Sequence, residues 1–310
     1  MELPLDSADL DPTPATFTSA IEEAEVEDPR EVAKRLPLNT RFELGSEITP
    51  VQDAFLDMHG FLVFSQVASQ SEVDAILAES VRIQDELYAS GKDRINGIPI
   101  WFGKGVEGEP FIQRLPFTSL FSDFIHKFVR DDRFEPVRTL IGDGARVGDN
   151  EKDGVVLNRY IRTPGSLRPG LGWHTDGLRD LFYGRLPSRM LNVGLHMHRI
   201  RPEDGGLRLI PGTHEQGFFA AAFRKPYFVS HGVDKDEIAV ETWPGDLTVH
   251  DGRLWHRVQE SPKTGLESYR CSMYVPYLTH AYDPKDENSK TLLYMKLFDR
   301  ILKLKSWWLG

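Results

Sequence analysis

A mainly β fold of jelly-roll type, with helices flanking it, is what this 310-residue sequence predicts, and three observations carry the prediction. From Val155 onward, short runs rich in β-branched and aromatic residues alternate with turn clusters, a texture of strands rather than helices. The breaks fall at Pro164-Gly165, Pro202 to Gly206, Pro211-Gly212, Pro244-Gly245, Asp251-Gly252 and Pro262 to Gly265. Strands at that spacing suit an antiparallel sandwich or barrel. Before Val155 the apolar residues recur at helical intervals, and no linker separates the two parts, so one domain is expected.

In chain order, residues 1–48 read as an acidic, partly flexible extension with short helices at 17–24 and 29–35. Residues 49–310 read as the single domain: a helical first part, a β core at about 155–280 and a carboxy-terminal helix. Within it, 51–58 predicts a helix and 60–64 a strand. The run 69–88 predicts a second helix, with Val73, Ile76, Leu77, Val81, Ile83 and Leu87 on one face and Ser69 or Ser71 as its cap. Residues 91–109 read as a glycine-rich loop, and 120–129 and 134–141 as helices. Strands are predicted at 155–161, 191–198, 206–210, 238–242, 246–250, 254–258 and 268–277. The stretch 290–308 reads as an amphipathic basic helix with Leu293, Leu297, Ile301, Leu304 and Trp308 on one side. Such a stripe packs on its own domain or a partner more often than it lies in a membrane interface.

With 40% hydrophobic and 27% charged residues, the composition is that of a globular protein. A net charge of −10 argues against nucleic acid as a partner. Cys271, the single cysteine, leaves no internal disulfide to form and fits a reducing compartment. Neither a signal-peptide pattern nor an apolar run of membrane-spanning length is present, and a cytoplasmic location is expected.

Chemistry concentrates in Trp173-His174-Thr175-Asp176-Gly177 and Leu254-Trp255-His256-Arg257. Two imidazoles and one carboxylate on one face of a metal leave coordination positions open, which suits non-haem Fe(II). His174 and Asp176 are two apart, so a strand end would point both the same way. For the third ligand His250 and His256 compete across the Asp251-Gly252 turn. His256 is preferred because it begins the following strand and an arginine follows at a useful distance. Taken alone, the three residues are equally well explained as a surface ion pair and a packed histidine. Arg270, fourteen residues beyond His256 (270 − 256), tips the balance. A guanidinium aimed into a barrel needs an anion, and the far carboxylate of a dicarboxylate co-substrate supplies one.

The chain resembles the phytanoyl-CoA dioxygenase family of Fe(II)/2-oxoglutarate-dependent oxygenases across roughly residues 50–278. The likeness rests on an ordered set: Asp57-Met58-His59-Gly60-Phe61-Leu62-Val63, His174-Thr175-Asp176, the run from Gly205 to His214, Gly245-Asp246-Leu247, His256 and Arg270. The resemblance implies a double-stranded β-helix (a cupin-like jelly roll), with His174, Asp176 and His256 as catalytic iron ligands. It further implies that Arg270 binds 2-oxoglutarate, that O2 is the other co-substrate and that succinate and CO2 are released. Asn158, on the strand before the metal pair, is a candidate contact to the bound oxo-acid. Gly194 stands where the family often carries a co-substrate contact, so the pocket differs there. Related halogenases lack the carboxylate, so Asp176 points to hydroxylation.

The expected reaction is hydroxylation of an unactivated C–H bond in a small organic or lipid-like molecule. Loops at 96–111 (Trp101, Phe102, Lys104) and 178–189 (Arg179, Phe182, Tyr183, Arg185, Arg189) are its expected entrance. The protein is read as a monomer or homodimer. A non-catalytic β-barrel binding module, which has no need of an open iron site, and a cupin-like metal isomerase or hydrolase, which would not need Arg270, are the competing classes.

Overall fold

The computed structural model describes residues 27–296 apart from 165, 167–168, 178–179, 182–187, 229 and 294. The predicted helix at 17–24, most of the one at 290–308, and Arg179, Phe182, Tyr183 and Arg185 lie outside the described residues.

Each helix of the first part begins where a side chain satisfies its free backbone N–H groups. Asp28 accepts from Arg30 N–H at the start of α1 (Pro29–Arg35). Reciprocal capping pairs, Thr49 with Gln52 and Ser69 with Glu72, open α2 (Pro50–His59) and α3 (Gln70–Ser90). Helix α2 stops at Gly60, whose φ of 79° lies in the left-handed region. A β-carbon there would stand 2.5 Å from Nδ1 of His214, so glycine also lets the chain pass close to that ring. Strand β1 (Phe61–Phe64) follows, buried on both faces.

Residues 91–109, expected as loop, instead contain β2 (Arg94–Ile95), β3 (Ile98–Pro99) and β4 (Trp101–Lys104). The turn Asn96-Gly97 folds β2 back on β3, and the buried Ile95, Ile98 and Ile100 fix the segment. Strands this short have too few alternating positions to show a period in the sequence. Strand β5 (Pro110–Leu115), not foreseen, pairs with β4. Helices α4 (Asp123–Phe128) and α5 (Glu135–Thr139) are shorter than predicted.

The remaining elements are β6 (Arg146–Val147), β7 (Val156–Arg162), β8 (Leu171–His174), β9 (Met190–His196), β10 (Gly206–Leu209), α6 (Phe218–Phe223), β11 (Ile238–Ala239), β12 (Leu247–Asp251), β13 (His256–Gln259) and β14 (Gly265–Leu278). They build two antiparallel sheets. The larger runs β1-β12-β9-β14-β7-β5-β4, with β6 on β14; the smaller runs β11-β10-β13-β8. This is the predicted jelly roll with flanking helices, open at its edges rather than a closed barrel. Strand β13 starts two residues later than expected because Leu254 N–H closes a turn onto Asp251 O at 2.9 Å.

Pleating sorts the side chains. On β7, Asn158 and Tyr160 face the space between the sheets, while Arg159 and Ile161 face outward toward α3. On β14, Arg270, Ser272 and Tyr274 face inward and Tyr269 faces outward. Trp173 and Trp255, each directly before a candidate ligand, are fully buried in a small cluster with Ile210, as the strand alternation predicts.

Candidate metal centre

His174 ends β8 and His256 begins β13, and the two face each other in register across the smaller sheet. Asp176 lies two residues past His174, in a bend. Gly177 N–H donates to Gly252 O at 2.8 Å, clipping that bend to the turn before His256. Distant parts of the chain thus bring ligand atoms of His174, Asp176 and His256 within 4.8 Å of one another. Nε2 of His256 is 3.7 Å from Oδ2 of Asp176.

Both imidazoles have their tautomer set by the backbone. Nδ1 of His174 contacts Gly172 O at 2.8 Å, and Nδ1 of His256 contacts Leu254 O at 2.9 Å. A carbonyl only accepts, so each Nδ1 carries a proton and Nε2 is the ring atom left for a metal. Asn192, on β9, donates to Oδ2 of Asp176 at 2.8 Å and fixes the carboxylate. The donor set therefore fits a divalent cation: two imidazoles and one acid, close together and largely buried.

His250, the rival to His256, sits on β12 opposite Asn192 and reaches within 4.0 Å of Asp176 Oδ2. Its two ring nitrogens are buried without a partner among the described residues. Burial, then the neighbouring His256, holds its pKa well below the ordinary histidine value. The three-residue cluster gathers around His256 and leaves His250 outside.

Arg270 opens on an adjoining cavity that shares Tyr160, Leu207, Val258 and Tyr274 with the one at the metal ligands. Its guanidinium donates to Gln259 O at 2.9 Å and Pro169 O at 3.2 Å. Its buried Nε has no partner, and among the described residues no carboxylate pairs with it. Burial pulls its pKa below the ordinary arginine value. Gly205 makes room for it: a β-carbon there would stand 2.8 Å from Nη1 of Arg270. Asn158 lines the cavity at the metal ligands and the chamber outside it, rather than facing water at a sheet edge. Gly194 is filled over by the Tyr274 ring, whose Cε1 would lie 2.5 Å from an added β-carbon. His214 contacts Asp57 O through Nε2 at 3.0 Å, which ties its turn to α2.

Sequence reasoning missed Asn192, Tyr160 and Ser272. Ser272 had a usable signal, since two residues past Arg270 on a strand puts it on the same face. Asn192 had none, because its contact with Asp176 depends on how β9 lies relative to a bend.

Fold and donor set together define a jelly-roll protein with a two-histidine, one-aspartate cluster that could hold a metal ion. Residues 144–261 match the family model described as phytanoyl-CoA dioxygenase (PhyH). Among solved structures it is similar to AviO1 from Streptomyces viridochromogenes Tue57, at 17% identity over 74% of this chain and 94% of that one, with a TM-score of 0.52. It is also similar to the epimerase SnoN from nogalamycin biosynthesis, a structure described as holding Fe3+, alpha ketoglutarate and nogalamycin RO (17% identity, 75% and 84% covered, TM-score 0.53). A third likeness is to HygX from Streptomyces hygroscopicus with nickel and 2-oxoglutarate bound (20% identity, 78% and 89% covered, TM-score 0.52). At these identities the solved structures speak for the fold. None of the curated proteins compared with the chain matches it. Among the described residues no helix is long and apolar enough to cross a membrane.

Proposed function

We propose that the protein is an Fe(II)- and 2-oxoglutarate-dependent oxygenase that hydroxylates a C–H bond of a small organic molecule. Iron, 2-oxoglutarate and dioxygen are the cofactor and co-substrates that go with this family and this donor set. The observation that carries the reading is a pair of adjoining cavities, one lined by a His-Asp-His cluster and the other by a buried arginine that has no carboxylate partner among the described residues. His174, Asp176 and His256 would hold the metal. Arg270, with Ser272 beside it, would bind the far carboxylate of 2-oxoglutarate, and Asn158 would contact its oxo-acid end. When bound, iron supplies the oxidising chemistry; the protein ligates, orients and keeps water out. The overall balance is R–H + 2-oxoglutarate + O2 giving R–OH + succinate + CO2.

The test is anaerobic addition of Fe(II) and 2-oxoglutarate, read by the weak visible absorption of a chelated oxo-acid, followed by succinate release in air. Both signals are expected, and His256→Ala should lose both together with bound iron. Iron-loaded protein that never consumes 2-oxoglutarate, with any substrate or none, sinks the reading. One neighbour is described as an epimerase, so oxygen from O2 in the product separates hydroxylation from epimerisation.

A further inference from the structure

The chamber outside the metal ligands has a chemistry of its own. Trp101, Ile98, Leu171, Phe228 and Met295 give it mostly apolar walls, drawn from β3, β4, β8 and the segments at 228 and 295. Two cations line this chamber and the metal cavity among the described residues, and each already has a carboxylate. Arg114 donates to Asp153 at 2.7 Å, and Lys152 donates to Asp180 at 3.0 Å. A phosphate or coenzyme A ester entering here would find no uncommitted positive charge on these residues, and the chain's net charge of −10 would repel it.

Resting on the oxygenase reading, the geometry points to an uncharged ring-bearing substrate with one hydroxyl or carbonyl, rather than a coenzyme A thioester. Trp101 and Phe228 take its rings. The Arg114–Asp153 pair is the polar handle, because a guanidinium that gives one N–H to a carboxylate keeps others for a neutral oxygen. The guanidinium lies 6.0 Å from the centre of the Trp101 ring, so handle and ring wall are adjacent. A pocket with apolar walls and few polar groups selects by shape and by one oriented hydrogen bond.

The experiment uses the full chain loaded with Fe(II) and 2-oxoglutarate without oxygen, and calorimetric titration with 2-naphthol, naphthalene and decanoyl-coenzyme A. 2-Naphthol is expected to bind more tightly than naphthalene, and decanoyl-coenzyme A more weakly than either. Trp101→Ala should weaken 2-naphthol about tenfold, the scale of losing one aromatic wall. Arg114→Gln should shrink the preference for 2-naphthol over naphthalene, a change that general damage to the fold does not produce. Tighter binding of decanoyl-coenzyme A, no binding of 2-naphthol, or unchanged affinity in Trp101→Ala overturns the proposal. The 2-oxoglutarate absorption band of the unsubstituted protein reports the oxygenase reading separately: band present with the wrong ligand preference refutes the substrate class alone.

Discussion

Arg159 and Arg270 occupy neighbouring strands one register step apart, both almost fully buried, on opposite faces of the same sheet. Outward-facing Arg159 is bedded in neutral partners: Gln84 Oε1 at 2.8 Å, the Tyr269 hydroxyl at 3.4 Å and the Phe111 ring at 4.5 Å. Inward-facing Arg270 has two carbonyls, a ring face only at 5.7 Å (Tyr160) and an idle Nε, with pocket around it. A buried guanidinium is tolerable when hydrogen bonds and a ring face replace water, and costly when they do not. The first arginine is bedded into the scaffold; the second is the one proposed to take an anion.

The largest expected effect tests that contrast directly. Arg270→Ala should weaken 2-oxoglutarate by about 2–5 kcal/mol, roughly thirtyfold to a few thousandfold, as when one partner of a buried charge pair is truncated. It should leave folding of the unliganded protein unchanged or improved, since an uncompensated buried charge is removed. Arg159→Met should do the reverse, lowering unfolding free energy by about 1–2 kcal/mol with 2-oxoglutarate affinity intact. Urea unfolding and 2-oxoglutarate titration of both variants decide it. Equal effects on binding would erase the distinction between the two faces.

Between these extremes stands Asn192, which touches the proposed ligand Asp176. Asn192→Ala should weaken the metal about 10- to 100-fold, the usual consequence of losing a partner that orients a ligand. Equilibrium dialysis with Co(II) gives the number. An unchanged affinity would mean that the bend tied to Gly252 holds Asp176 unaided.

The convergence of His174, Asp176 and His256 was legible because they stand beside turns and the order of motifs along the chain repeats a known pattern. The β core was legible for a related reason: long strands such as β14 carry enough residues to display alternation. What escaped detection depends on register. Asn192 meets Asp176, and Tyr160 meets Arg270, only because strands far apart in sequence are laid side by side. Segment 91–109 escaped because glycine turns cut its strands below the length at which a period shows.

A last effect, on stability rather than binding, concerns two histidines that also straddle the sheet. His196 lines the Arg270 cavity, and His198 packs edge-on against outward-facing Tyr269 at 5.2 Å between ring centres. Burial lowers His196 to about 3 and His198 to about 4, and Cys271 N–H, donating to Nδ1 of His198 at 3.1 Å, needs that nitrogen unprotonated. An unfolded chain holds histidine near its ordinary value of about 6.5. Between that value and the folded ones the unfolded state binds more protons, so folding stability falls as the medium is acidified. The contribution is complete above about pH 6.5 and drains away toward pH 4, at about 1.4 kcal/mol per pH unit for each imidazole. Urea midpoints of metal-free protein at pH 7.5, 6 and 5 should therefore drop in sequence. His198→Gln should flatten the slope by one imidazole's share. A midpoint constant from pH 7.5 to 5 would mean that neither ring is buried neutral, and the sheet's two faces would then differ in their arginines alone.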